Sequence, residues 1–317
     1  MNDESPIFVR GMSRSGGTLL VTLLDCHPAV AMSYELYPNL LLTERVASDV
    51  LERIEYEDVP DGRSVHDAGA LLRAARAATT TQQLLAYATD RNLRTFLARL
   101  SRGGVTVAEF AAELGELARS GLDLERVSGR LELMAACCRV KMRRERKSQW
   151  GLKCTNRFED YVERWPRARF VNIVRDGRDV LASQLHTGQF NLTAAQIGRA
   201  WAWSHERFER FAETAGDQAV WVSYERLVEG PNEEIPRLCE ALGLAFDARM
   251  LDHSSQSLTI FSASHLSREA VLQPINQGSI GRWKSDVKAD ELAAFMGEAG
   301  EVMRRLGYAD GARAAVD

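Results

Sequence analysis

An apolar stretch, Ile7-Phe8-Val9, runs into a turn of glycine and serine, Gly11-Met12-Ser13-Arg14-Ser15-Gly16-Gly17, and leaves it at Thr18 in an apolar, helix-like run. Strand, glycine turn and helix in that order gather backbone N–H groups and a helix N-terminus around one point, which seats a phosphate dianion. Gly11, Gly16 and Thr18 meet the spacing of the phosphate loop G-x-x-x-x-G-K-[ST] at every position but the lysine, where Gly17 stands. The glycines let the backbone come close to a ligand. Arg14 supplies the cation from inside the turn, and its fork suits bidentate contact with phosphate. Ser15 and Thr18 add hydroxyl donors. The missing lysine also bears on reaction type. A loop that handles β- and γ-phosphates uses that lysine with magnesium, whereas a single 5′-phosphate needs less neutralisation.

The remaining composition narrows the classes. A net charge of −4 leaves room only for a local basic site, so nucleic acid is not an expected partner. The acidic start MNDESP has no secretory pattern and no apolar run is long enough to span a membrane, so a cytoplasmic protein is expected. Five cysteines without CxxC spacing read as reduced, mostly buried thiols, with the vicinal Cys137-Cys138 as the one redox candidate. No His, Cys and Asp cluster has metal-ligand spacing, so no metal is expected.

Three textures follow one another. Residues 6–35 read strand, loop, helix and strand, with His27-Pro28 stopping the helix and VAMSY ending at Glu35. Residues 36–150 are rich in Leu, Ala, Arg and Glu at helical spacing and are punctuated by Val59-Pro60-Asp61-Gly62 and Arg102-Gly103-Gly104. The basic run KMRRERK (141–147) closes this segment and reads as a solvated helix face. From 150 onward strands and helices alternate: WGLKCT, NRFEDYVERWP, ARFVNIVRD, GRDVLASQL, a helix over 193–215, the strand AVWVSYERL, the helix PNEEIPRLCEALG, the loop NQGSIGRWK and a last helix over 288–307. Trp201 and Trp203 read as core or core edge. The pattern predicts an α/β fold: a P-loop-type parallel sheet flanked by helices, in one domain over 1–317, with core segments 6–36 and 150–307 and a helical insertion or cap over about 37–149. Ligands of such sheets sit at the carboxyl ends of strands. Gly11–Thr18, Glu35, Lys153 and Arg175 each follow an apolar strand, and two cations, a carboxylate and a phosphate loop are what an anion-transfer site needs.

RSGGTLL, DCHPAVAMSYE, GLKCTN, FVNIVRDGRDVLAS and VSYERL, in this order and spacing, resemble the sulfotransferases that use 3′-phosphoadenosine 5′-phosphosulfate (PAPS), in the branch of tyrosylprotein sulfotransferases and related bacterial enzymes. The likeness covers about 6–36 and 150–285 and leaves the helical block aside. It implies that Arg14, Ser15, Gly16, Gly17 and Thr18, with Leu19 continuing the helix, form the 5′-phosphosulfate loop. Arg175 and Ser183 are implied as the 3′-phosphate site, Tyr224 as a nucleoside contact, and Arg282, or Lys284, as a phosphate contact from the late loop. Two departures stand out. Gly17 replaces a frequent Thr or Ser, and Tyr34-Glu35 replaces a pair of acids, of which only the second, the family's base, survives.

The resemblance implies in-line sulfuryl transfer to an acceptor hydroxyl, releasing 3′,5′-diphosphoadenosine (PAP) without metal. Glu35 is then the general base, and Lys153 and Arg14 stabilise the leaving bridging oxygen. His27 and His186 are the competing bases. A P-loop kinase or NTPase with an altered loop, and a non-catalytic PAP- or nucleotide-binding module, are the alternative readings. The acceptor classes are a small molecule, a carbohydrate, a lipid or a peptide; a homodimer is allowed.

Overall fold

The computed structural model describes residues 4–41, 67–88, 91–101, 103–154, 158–187, 191–255 and 271–308. The Val59–Gly62 punctuation, Arg102, and the Thr155-Asn156-Arg157 junction lie outside them. A parallel five-stranded sheet flanked by helices contains β1 (Ile7–Arg10), β2 (Val30–Tyr34), β3 (Gln149–Lys153), β4 (Arg169–Val174) and β5 (Ala219–Ser223), in the order β2-β3-β1-β4-β5. Every residue of β1 and β2 is buried, as expected of apolar strands covered on both faces.

The chain divides into two compact units. The first holds 1–8, 24–168 and 256–268; the second holds 9–23, 169–255 and 269–317. In the first unit β2 and β3 pair in parallel from Val30 opposite Gln149 to Tyr34 opposite Lys153. Between them lie a 3-10 turn (Pro38–Leu41) and the helices α2 (Ala68–Ala77), α3 (Thr81–Ala86), α4 (Arg91–Leu100), α5 (Val107–Arg119) and α6 (Val127–Arg144), and α7 (Phe158–Arg164) follows β3. The capping box of Thr106 and Glu109 starts α5. Phe8 stacks on Tyr161 with centroids 4.6 Å apart, and Trp150 and Trp165 meet edge-on at 5.2 Å, forming this unit's aromatic core.

In the run 141–147, Arg143, Arg144 and Arg146 are exposed, as a solvated helix face requires, and Lys141 departs from that expectation. Lys141 is completely buried and donates to Asp25 and, at 2.9 Å, to Glu145, while Arg144 reaches Glu109 at 3.3 Å. A lysine without solvent requires such carboxylate partners. Cys137 and Cys138 are fully buried; burial pushes the Cys137 thiol well up and the Cys138 thiol to about 12, so this pair is inert packing.

In the second unit β4 and β5 pair in parallel from Phe170 opposite Ala219 to Val174 opposite Ser223. The helix α1 (Gly17–Asp25) follows the glycine turn, and only its last two residues count with the first unit. The helices α8 (Gly177–Thr187), α9 (Ala194–Ala215), α10 (Tyr224–Glu229), α11 (Pro231–Ala241), α12 (Trp283–Asp286) and α13 (Ala289–Arg305) belong to it. Thr193 and Gln196 cap the start of α9, which packs along α13. Tyr224 opens α10 rather than ending a strand: the Ser223 hydroxyl accepts the Arg226 N–H at 3.3 Å and starts the helix there. Among the described residues no helix is long and apolar enough to cross a membrane.

Candidate functional site

The turn after β1 is shaped by its glycines. Gly16 has φ +93°, and a Cβ there would lie 2.4 Å from the Tyr224 ring; a Cβ on Gly11 would lie 2.5 Å from Ile173. Any side chain at either position would push the loop off β4 and α10. The Ser15 N–H donates to the Met12 carbonyl at 3.0 Å and the Leu20 N–H to Gly16 at 3.1 Å, closing the turn into α1. Gly17 is buried at the start of α1, and Thr18 and Leu19 are half-buried in its first turn.

Arg14 occupies the left-handed region with φ +76°, a conformation that costs a side-chain-bearing residue about 1–2 kcal/mol. Its Nε donates to Ser183 Oγ on α8 at 2.9 Å. Arg175 follows β4 and is almost fully buried. Its Nη1 donates to the Arg14 carbonyl at 2.9 Å, its Nη2 to the Ser279 carbonyl, and its guanidinium lies 4.7 Å from the Tyr224 ring centroid. The β4–β5 register explains that last contact: Val174 stands opposite Ser223, so the next residues, Arg175 and Tyr224, leave the sheet side by side. Arg14, Arg175, Ser183, Gly16 and Tyr224 thus form one cluster. Within it Ser15 Oγ and Arg175 Nε are buried without a hydrogen-bond partner among the described residues. Buried donors of this kind call for an acceptor, and a phosphate supplies several. The residues present fit an anionic nucleotide.

Behind this cluster, Trp201 Nε1 donates to the Arg175 carbonyl at 3.3 Å. The Glu225 carboxylate accepts the Asp176 N–H and the Tyr308 hydroxyl, each at 2.9 Å. Asp179 accepts the Gly281 N–H at 2.8 Å and the Trp283 N–H at 3.0 Å, and Arg178 lies 4.3 Å from the Trp283 ring. These contacts fasten the late loop to α8. Burial pushes both the Asp179 and the Glu225 carboxyls above their ordinary values, against the backbone N–H groups that they accept. Arg282 itself turns to Asp286, at 2.8 Å, with its side chain 41% exposed; the structure does not bring its guanidinium into the cluster. Lys284 rests 5.9 Å from the Trp283 ring.

The first unit holds a second cluster. Its register sets Tyr34 opposite Lys153, so Glu35, one residue on, meets the lysine. Lys153 Nζ donates to Glu35 Oε1 at 2.9 Å and to Tyr34 Oη at 3.2 Å. Tyr34, at the position of the absent first acid, therefore takes the second place at the lysine. Burial alone would lower the Lys153 ammonium, but the charge of Glu35 and the hydrogen bonds to Glu35 and Tyr34 outweigh it and hold it above the usual lysine range. Glu35 also has positive φ, +56°. Among the described residues only Arg14, Glu35 and Arg146 combine a side chain with that conformation, and two of these are candidate catalytic residues. His27 Nδ1 accepts the Ala29 N–H at 3.1 Å, fixing it as a helix-end residue, and His186 is exposed on the last turn of α8.

Sequence reasoning misses Arg99, whose Nη1 donates to the Glu35 carbonyl at 3.0 Å, and misses Asp179 and Glu225. Nothing local marks Arg99 among the arginines of α4. The acids that come soon after Arg175 and Tyr224 are legible only as ion-pair partners.

A sequence profile of the Sulfotransferase family matches residues 6–248, running through the helical block that the motifs alone leave uncovered and stopping before Arg282. Protein-tyrosine sulfotransferase A of Caenorhabditis elegans is 26% identical over 154 residues, 46% of this chain and 40% of the relative. The protein-tyrosine sulfotransferase of Drosophila melanogaster is 23% identical over 97% of this chain and 52% of its own length. This chain spans about half the length of the curated relatives it matches. The sulfotransferase domain of the Synechococcus PCC 7002 olefin synthase shares the fold, with a TM-score of 0.55 at 16% identity over 94% of this chain and 97% of that one. A family match through the phosphate turn, Glu35, Lys153, Arg175, Ser183 and Tyr224 leaves one assignment: the chain belongs to the sulfotransferase family.

Proposed function

We propose that the protein moves a sulfuryl group from PAPS to an acceptor hydroxyl and releases PAP, without a metal. The observation that carries this reading is the cluster around Tyr224, where Ser15 Oγ and Arg175 Nε are buried donors without partners among the described residues. Arg14, Ser15 and the N–H groups from Gly16 to Leu19 hold the 5′-phosphosulfate. Arg175 and Ser183 hold the 3′-phosphate, and Tyr224 contacts the nucleoside. Glu35 takes the proton of the attacking hydroxyl as the new O–S bond forms. The bond from sulfur to the bridging oxygen breaks, and Lys153 and Arg14 stabilise the charge left on that oxygen. An in-line reaction of this loose type asks for positioning and charge stabilisation rather than covalent chemistry by the protein. Tyrosine and simpler phenols are the first acceptors to try, since several relatives are named protein-tyrosine sulfotransferases.

The test compares thermal shifts of the full chain with PAP, AMP and ATP–Mg, followed by transfer of labelled sulfate from PAPS. Stabilisation by micromolar PAP well beyond AMP is expected, about 2.7 kcal/mol at a hundred times Kd. Equal or greater stabilisation by ATP–Mg overturns the reading in favour of a kinase or NTPase. PAP binding with no transfer to water, phenol or peptide leaves a binding module.

A further inference from the structure

The helical segment between β2 and β3 delivers an arginine to Glu35. Arg99 lies in the last turn of α4, where a cation ordinarily serves its own helix carbonyls. Here Nη1 donates instead to the Glu35 carbonyl at 3.0 Å, Nη2 stands 3.6 Å from Glu35 Oε2, and the guanidinium lies 4.6 Å from the Tyr37 ring. Both partners are largely withdrawn from water, with side chains 16% exposed each. The fork therefore touches Glu35 twice, at the carbonyl of a left-handed residue and at the carboxylate oxygen opposite the one that Lys153 engages.

We propose that Arg99 is a positioning residue for Glu35: it fixes the strained backbone of that residue and keeps its carboxylate charged and divided between two cations. The proposal rests on the reading of Glu35 as the proton acceptor. Among the described residues, the charged and titratable groups facing Glu35 include Lys153 from β3, Tyr34 from its own strand, and Arg99 from α4. Of the neighbouring α6, Lys141 is turned away to Asp25 and Glu145. An arginine suits the place better than a lysine because a planar fork can bond a carbonyl, neighbour a carboxylate and lie on a ring together. Through Arg99 the helical segment then sets how readily the base takes a proton.

The test is a carbon-13 titration of the Glu35 carboxyl in the full chain, with E35Q identifying the signal, beside the pH profile of sulfate transfer from PAPS to 4-nitrophenol. In R99Q the Glu35 midpoint is expected to rise by about one unit, as loss of a neighbouring cation requires, and the acid limb of kcat moves with it while KM for PAPS is unchanged. In R99K the charge remains and the carbonyl bond is lost, so the midpoint stays and kcat falls about threefold to tenfold. An unchanged midpoint in R99Q overturns the proposal. Should R99Q fail to fold, a moved midpoint or an unchanged kcat in R99K overturns it. Full transfer by E35Q defeats the base reading, a separate result, and the titration still decides whether Arg99 governs the carboxylate.

Discussion

Glu132 and Glu145, in the unit that carries β2 and β3, and Asp179 and Glu225, in the unit that carries β4 and β5, are shifted in opposite directions. Burial would raise all four. For Glu132 the bonds and charges of Arg139 and Arg164 outweigh it, and for Glu145 those of Lys141 and Lys147 do, so both lie below the usual carboxylate range. For Asp179 and Glu225 burial wins, since their partners are mostly neutral N–H and O–H groups. The same contrast separates the two clusters. Glu35, Lys153 and Arg99 satisfy one another as ions, whereas the loop cluster keeps buried donors with nothing to bond among the described residues. Paired ions are suited to passing a proton, and unanswered donors are suited to receiving an anion.

The largest effect should come from breaking the ionic cluster. E35Q should lower kcat for sulfate transfer by about 10²–10⁴-fold while PAP affinity, read by calorimetry, stays within a factor of two or so, since the loop cluster is untouched. A lower Tm is expected with it, because Lys153 and Arg99 lose their counter-charge. Equal losses of kcat and PAP affinity would erase the division of labour. Breaking the donor cluster should do the converse. R175Q should weaken PAP binding about 10- to 100-fold, the range for a charge-assisted bond. If Arg175 merely ties Arg14 and Ser279 together, Tm falls but the folded fraction binds PAP normally.

Acid sharpens the contrast. A carboxyl held low in the folded chain gives stability that is complete above its unfolded value of about 4.5 and is lost as pH falls through the folded one. A carboxyl pushed up gives stability that is complete below its unfolded value and is lost as pH rises through the folded one. Taking the protein from pH 7 to about pH 4 should therefore cost amide protection around α6 before α8 and α10, measured by hydrogen exchange corrected for intrinsic rate. E132Q should flatten the loss at α6; a uniform loss, or one that starts at α8, contradicts the assignment. The smallest effect is expected for R14G. Relief of the left-handed strain, about 1–2 kcal/mol, offsets loss of the Ser183 bond, about 1 kcal/mol, so Tm should move only a degree or two while PAP affinity falls. A large drop in Tm would make Arg14 a structural residue.

Much of the arrangement is local and therefore legible. The glycine spacing places the turn, the apolar strands place its entry, and the strand-end rule singles out Glu35, Lys153 and Arg175 one by one. The α/β alternation likewise predicts the parallel sheet. Tyr224 reads as a strand end because a strand-like apolar run continues to Ser223, where a single hydroxyl in fact starts a helix. Lys141 reads as solvated because its partner Asp25 lies 116 residues away, beyond any window of periodicity.

What the sequence determined by itself is the phosphate turn, its borrowed arginine and the residues that follow each strand, since these depend on backbone freedom and on hydrophobic period. Only the tertiary structure decided the partnerships: Lys153 with Glu35 through strand register, Arg175 with Tyr224 by the same device, Arg99 from a distant helix, and Arg282 turned to Asp286. Hydrogen bonds and ion pairs act over a few ångströms whatever the separation along the chain, and only folding brings those groups within that reach.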